Sequence, residues 1–243
     1  MVVFWLASPF YISSDYFLTA ATLSFALIGL VQPALTMSLS TLGIKNLGPS
    51  LSSAIAAVSP IFSLYLAWAI LEEDITSPIV IGTLLVIAGV IVASIRRGKV
   101  RATWPLWALF LPLGAAFLRA MTQPIAKIGF QEIPSATYAT LISSTVSFFV
   151  IWLIMKKRKH KIPPLNQGHG WFILAGALNG LGVYLFNSAL VRGDVSSVAP
   201  VIAIAPVITV LMSQFFFKVE SVTVKTWITV IFVCAGCLLV ITA

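Results

Sequence analysis

Cys234 and Cys237 form a C-x-x-C pair, a spacing that in a water-soluble chain would hold a metal or cycle a disulfide. Here both fall inside a long apolar run, and the matching positions of an earlier copy of that run are Ile87 and Val90. The pair reads as small packing residues. His160 and His169 lie in or beside a basic stretch, and no nucleophile, base and carboxylate share a face. An enzyme is not expected, nor a metal or a cofactor. Glu72, Glu73 and Asp74 crowd the end of an apolar run and read as solvated charges that assist topology. What remains is a set of polar, aromatic and proline residues inside apolar segments. A few convergent groups of that kind in an apolar cavity suit a small organic solute.

Arg119 is the charged residue that lies well inside such a segment. An arginine at mid-bilayer costs roughly 2.5 to 3.5 kcal/mol on insertion scales, so it calls for an anionic solute group, a neighbouring carbonyl, or a route to the far interface by snorkelling. Gln123-Pro124 lies one turn on, and Gln32-Pro33 forms a matching polar, kink-prone spot in the first run. Pro60 and Pro206 occupy equivalent positions in two copies of one segment and are read as paired hinges. Asn179, Tyr184 and Asn187 in one run, Gln214 in the next, and Ser63 and Trp68 in an earlier one add hydrogen-bonding and aromatic groups. Asn179 and Asn187, eight residues apart, fall on roughly one helix face. The candidate substrate-binding set is therefore Gln32, Pro60, Ser63, Trp68, Arg119, Gln123, Asn179, Tyr184, Asn187, Pro206 and Gln214, with interhelical hydrogen bonding as the competing use of its polar members. Gly176 and Gly180 make a G-x-x-x-G that reads as close helix packing.

The elements that position these groups follow from composition. The chain is 59% hydrophobic and 9% charged, against about 25% charged in soluble domains, so it is read as an integral membrane protein. Eight apolar runs are long enough to cross a bilayer as helices: 17–42, 51–71, 79–95, 106–128, 138–155, 172–191, 195–217 and 224–243. They are apolar on every face, which excludes the alternation of barrel strands. The net charge of +8 is concentrated in Arg96, Arg97, Lys99 and Arg101 and in Lys156, Lys157, Arg158, Lys159 and Lys161, two spans apart and so on one side of the membrane. Asp15, Glu72, Glu73, Asp74, Glu132 and Asp194 collect on the other side. The positive-inside rule places the basic side in the cytoplasm, which accounts for the basic balance without nucleic acid as a partner. A multi-pass protein of the plasma or inner membrane is expected.

The run from Gly43 to Val92 and the run from Ala189 to Val240 are copies. Pro60 pairs with Pro206 and Ser50 with Ser196 at an offset of 146, and after a one-residue insertion Glu73 pairs with Glu220, Thr76 with Thr223 and Ala88-Gly89 with Ala235-Gly236. Five crossings separate equivalent points, an odd number, so the copies insert upside down relative to each other. A five-helix unit starting near Trp104 places the matching start of the first unit about 42 residues before Met1, so the first copy is expected to lack its opening helix and most of its second. Met1 to Tyr11 reads as the tail of that second helix, since it has no basic region or cleavage site of a signal peptide.

Taken together, Ser50, Ser52, Ser53, Ser59-Pro60, Glu73 and Ala88-Gly89, repeated as Ser196, Ser197, Ala205-Pro206, Glu220 and Ala235-Gly236, resemble the EamA-domain transporters of the drug/metabolite transporter superfamily. The Ala189-Leu190 pair is similar to the family's short helix-end motif. The resemblance implies an all-α membrane bundle of two inverted five-helix repeats around a central substrate cavity, with both termini in the cytoplasm. In this chain it implies a first repeat over 1–101, incomplete at its start, and a second over 102–243, about eight helices in all; the charge pattern instead puts the C-terminus outside. The expected function is secondary transport of a small metabolite, amino acid or amphipathic compound by alternating access, with a channel-like pore or an inactive fragment or scaffold as the alternatives. The expected partners are a small-molecule solute and the lipid bilayer, with a homodimer left open.

Overall fold

The computed structural model describes residues 16–17, 19–94, 105–157, 168–202, 204–205, 208 and 224–242. Among them there is no strand. The helices are α1 (Ala20–Val31), α2 (Ala34–Leu47), α3 (Pro49–Ala56), α4 (Ser59–Leu71), α5 (Ser77–Ser94), α6 (Phe110–Glu132), α7 (Ala136–Lys157), α8 (Gly168–Arg192), α9 (Val195–Ile202) and α10 (Val224–Ile241), with a 3-10 turn at Leu106–Leu109 leading into α6. Among the described residues, five stretches are long and apolar enough to cross a membrane: Ala20–Leu47, Leu51–Leu71, Leu106–Glu132, Ala136–Lys157 and Gly168–Arg192, and Ser77–Val92 and Trp227–Ile241 are shorter apolar helices. Of the seventh expected run, the part beyond Ile208 lies outside the described residues. The first run ends later than its apolar stretch suggests, because α2 continues through Lys45 to Leu47 before Gly48, at φ +86°, stops it.

The chain forms two compact units, each drawn from both halves of the sequence: residues 1–35 with 125–193, and 36–124 with 194–243. In the first, α1 packs on α7 and α7 on α8. Gly29 makes the α1–α7 approach close: a Cβ there would lie 2.5 Å from the Ser143 carbonyl oxygen. The buried Phe25 stacks its ring 5.2 Å from Phe130 and 6.1 Å from Tyr138, and the Tyr138 hydroxyl meets Thr22 Oγ1 at 2.6 Å. The helix ends of this unit are closed by charge. The Ala21 N–H donates to Glu132 Oε2 at 2.7 Å, and Lys127 Nζ donates to the Leu190 and Gly193 carbonyls at 3.1 and 2.7 Å. An acid thus sits at a helix N-terminus and a base at a C-terminus, the signs that the helix dipole favours.

In the second unit, α5 and α10 form the tightest pair, with α3 and α9 against them. A Cβ on Gly82 would lie 2.5 Å from the Gly236 carbonyl oxygen, and one on Gly236 would lie 2.5 Å from the Gly82 carbonyl oxygen and 2.8 Å from Val86 Cγ2. A Cβ on Gly89 would meet Val233 Cγ2 at 2.6 Å and the Thr229 carbonyl oxygen at 3.2 Å. These contacts are images of each other. Adding the post-insertion offset of the repeat carries Gly82 to Thr229, Val86 to Val233 and Gly89 to Gly236, so every contact has a partner in which the two helices exchange places. Because residue numbers rise along α5 as they fall along α10, the exchange reverses direction. The two copies are inverted, and the bundle is an all-α membrane fold built from inverted repeats.

In lipid, helices associate mainly through close van der Waals approach, which small residues permit. Gly236→Ala should therefore lower stability by about 2 kcal/mol, as overpacking does. Gly176→Ala, where a Cβ meets nothing within 4 Å, should be neutral or slightly stabilising. Thermal unfolding of both variants in detergent micelles checks the contrast.

Candidate functional site: interrupted helices and a groove beside them

The second span is not one helix. α3 ends at Ala56, Ala57 and Val58 form a turn, and α4 restarts at Ser59 with Pro60 at its first positions, where the missing N–H costs no intrahelical bond. The turn is marked by a tightened bond from Val58 N–H to the Ile55 carbonyl, at 3.2 Å. In the second copy the Ile204 N–H reaches back to the Val201 carbonyl at 3.3 Å. Ile204 and Val201 are the repeat images of Val58 and Ile55, so both copies are interrupted at the same place. Ala57 is packed into a buried cluster with Val86, Val90, Val233 and Cys237, against which Ile204 also lies. The two interruptions thus share the α5–α10 pair as their support. On the other side of the first break, the Ser59 hydroxyl donates to the Ala116 carbonyl at 3.1 Å, and Phe62 meets Phe117 edge-on at 5.5 Å, tying α4 to α6.

The C-terminal end of the same span carries a groove of about 570 Å³. Ile61, Leu64, Tyr65 and Trp68 of α4 form one wall, a stripe at helical spacing; Glu73, Asp74 and Ile75 of the connector and Val80 of α5 complete it. The chain turns into this connector through Glu72, held in the left-handed region at φ 55°, after which the Glu73 N–H returns to the Ala67 carbonyl at 3.2 Å. The Glu72 N–H returns to the same carbonyl, so the left-handed residue closes the end of α4. Glu73 then reaches across to α9. Its Oε1 accepts from the Val195 N–H at 2.9 Å and its Oε2 from the Ser196 N–H at 2.8 Å.

Glu73 is the residue that composition alone misreads. It is half-buried and caps a helix 122 positions away, whereas a run of three acids at a helix end reads as solvated charge. The signal was present in the repeat, which places Glu220 opposite it; Glu220 lies outside the described residues.

The remaining candidates are dispersed. Pro60 is buried at the break, and Ser63 is fully buried (0% exposed) with its hydroxyl donating to the Ser59 carbonyl at 3.2 Å. Trp68 is 60% exposed in the groove. Arg119 is exposed on α6, while Gln123, one turn on, is only 8% exposed and its amide oxygen has no hydrogen-bond partner among the described residues. Gln32 ends α1, giving its N–H to the Ile28 carbonyl at 2.8 Å, and its own carbonyl faces the Ser147 hydroxyl, which also lies 2.9 Å from the Gly29 carbonyl. Asn187 is buried and donates to Thr140 Oγ1 at 2.9 Å; Tyr184 is half-buried; Asn179 is exposed. The two asparagines do not share an environment, because eight residues advance about 12 Å along a helix and α7 covers only the later part of α8. Pro206 and Gln214 lie outside the described residues.

The chain matches the EamA-like transporter family over residues 1–95 and 106–242. It belongs to that family. Over 140 residues it is 34% identical to an uncharacterized transporter in the cobO 3′ region of a Sinorhizobium species, a match that spans 56% of this chain and 95% of that protein. A crystal structure of a protein superposes with a TM-score of 0.70 at 14% identity, covering 98% of this chain and 92% of that one, which shows a shared fold. This EamA-family chain is thus a membrane transporter protein with several membrane-crossing helices. Within it, the Glu73 clamp is a pair of charge-assisted hydrogen bonds, each worth about 1.5 to 3 kcal/mol. Glu73→Gln leaves one acceptor facing two donors and should lower stability by about 2 kcal/mol, whereas Glu72→Gln, whose exposed side chain has no such partner among the described residues, should change it by less than about 0.5 kcal/mol. Denaturation of the two variants in micelles separates them.

Proposed function

We propose that the protein is a secondary transporter that moves a small metabolite, amino acid or amphipathic compound by alternating access, and that it does so in the plasma or inner membrane. The observation that carries this reading is the interruption at equivalent positions of two inverted copies, Ala57–Val58 and the turn at Ile204. Alternating access requires symmetry-related elements that can exchange conformations, and a broken helix bends where its hydrogen-bond ladder has already been opened. In this reading the repeats run over 1–101 and 102–243, Pro60 and Pro206 keep the two ladders open, and the polar groups of α6, Arg119 and the unsatisfied Gln123 among them, meet the solute. A buried amide oxygen without a donor is a costly group that a bound solute's N–H or O–H would satisfy.

Purified protein in proteoliposomes should show saturable counterflow of its solute, where a pore would show none. Pro60→Ala and Pro206→Ala should each slow exchange by about tenfold, the effect of about 1.4 kcal/mol on a rate-limiting conformational step, with affinity little changed. Arg119→Gln should weaken solute affinity instead. Unchanged exchange in both proline variants would remove the hinges from the mechanism.

A further inference from the structure

We propose that the groove between α4 and α5 binds a small amphipathic organic cation, a substituted ammonium with an apolar or aromatic body. That this cation is also cargo rests on the transporter reading; occupancy of the groove does not. Tyr65 and Trp68 stand on one face of α4 with ring centroids 6.2 Å apart and planes tilted by 47°, and they are 61% and 60% exposed. Two open π faces therefore line one concavity, and the faces of Trp and Tyr attract a cation placed over them. An interfacial aromatic belt accounts for a lone Trp at a span end, but not for carboxylates built into the same groove.

Those carboxylates are placed there by the backbone. The left-handed Glu72 folds the connector back beside the last turn of α4, which brings Glu73 and Asp74 onto the rim next to Trp68. Glu73 gives both oxygens to the start of α9 and contributes only its field. Asp74 is exposed and, among the described residues, makes no ion pair, so its carboxylate is available to a ligand ammonium. Among the described residues, no basic one lines the groove. An anion is excluded by charge, and a zwitterionic phospholipid brings a phosphate that two acids repel. The apolar wall of Ile61, Leu64 and Val80 takes a hydrocarbon body, and a volume of about 570 Å³ lies within the roughly 300 to 1,000 Å³ of small-molecule sites.

The test is equilibrium binding of benzyltrimethylammonium to the purified full chain in maltoside micelles, alongside its neutral carbon isostere neopentylbenzene and the anion phenylacetate. The cation should bind saturably. Asp74→Asn and Trp68→Ala should each weaken it by about fivefold, the scale of one exposed charge pair or cation–π contact, while Trp68→Phe retains most of the affinity. Neopentylbenzene should be indifferent to Asp74→Asn, and phenylacetate should not compete. Both mutated side chains are exposed, so folding is not at stake, and elution volume in size exclusion verifies it. Absence of saturable cation binding, or binding unaltered in both variants, overturns the proposal. Displacement of the cation by short-chain phosphatidylethanolamine assigns the groove to lipid headgroups and overturns it too. Cation binding without counterflow of any solute would count against the transporter reading and leave the site standing, whereas counterflow of another solute with no cation binding would do the reverse.

Discussion

A backbone N–H or C=O that leaves a helix inside a hydrocarbon layer finds no water, and each one left unsatisfied costs several kcal/mol. The irregular points of this molecule are organised around that constraint. Where α1 stops at Gln32, the Ser147 hydroxyl of α7 lies against the released carbonyls. Where α9 begins, Glu73 accepts from its first N–H groups; where α1 begins, Glu132 does so; where α8 ends, Lys127 donates to two of its carbonyls. Three charged residues that composition would assign to solvent, Glu73, Glu132 and Lys127, are therefore spent on helix ends, and the sign of each matches the dipole it meets.

Breaks made tolerable in this way become usable. A helix interrupted at Ala57–Val58 is held on one side by the α5–α10 core and on the other by α6, so its two halves have separate supports. The α5–α10 pair is itself symmetric, because the Gly82–Gly236 and Val86–Gly236 approaches are the inverted images of the Gly89–Thr229 and Gly89–Val233 approaches. A rigid, self-complementary pair beside two interrupted helices is an arrangement in which bending at the breaks need not disturb the support.

Much of the architecture was legible in the residues. Apolar runs located the helices, because membrane helices need little besides length and hydropathy, and Pro60 pointed to a break that the backbone does contain. The repeat gave the inversion through parity alone. The candidate site was less legible. Asn179 and Asn187 share a helix yet not an environment, and Ser63 spends its hydroxyl on its own helix, since a polar side chain in a span finds the nearest acceptor unless packing prevents it. Glu73 looked like solvent-facing charge because its partners are 122 and 123 positions away.

The sequence by itself determined that this chain crosses a membrane as helices and that its halves are inverted copies. Both follow from quantities summed along the chain, hydropathy and the order of residues, which need no knowledge of neighbours. Only the tertiary structure decided which polar groups are free. That question is one of pairing, and pairing depends on distances between segments far apart in sequence. It turned Glu73 into a clamp on α9, left the Gln123 amide oxygen without a donor among the described residues, and set Asp74 beside the open rings of Tyr65 and Trp68.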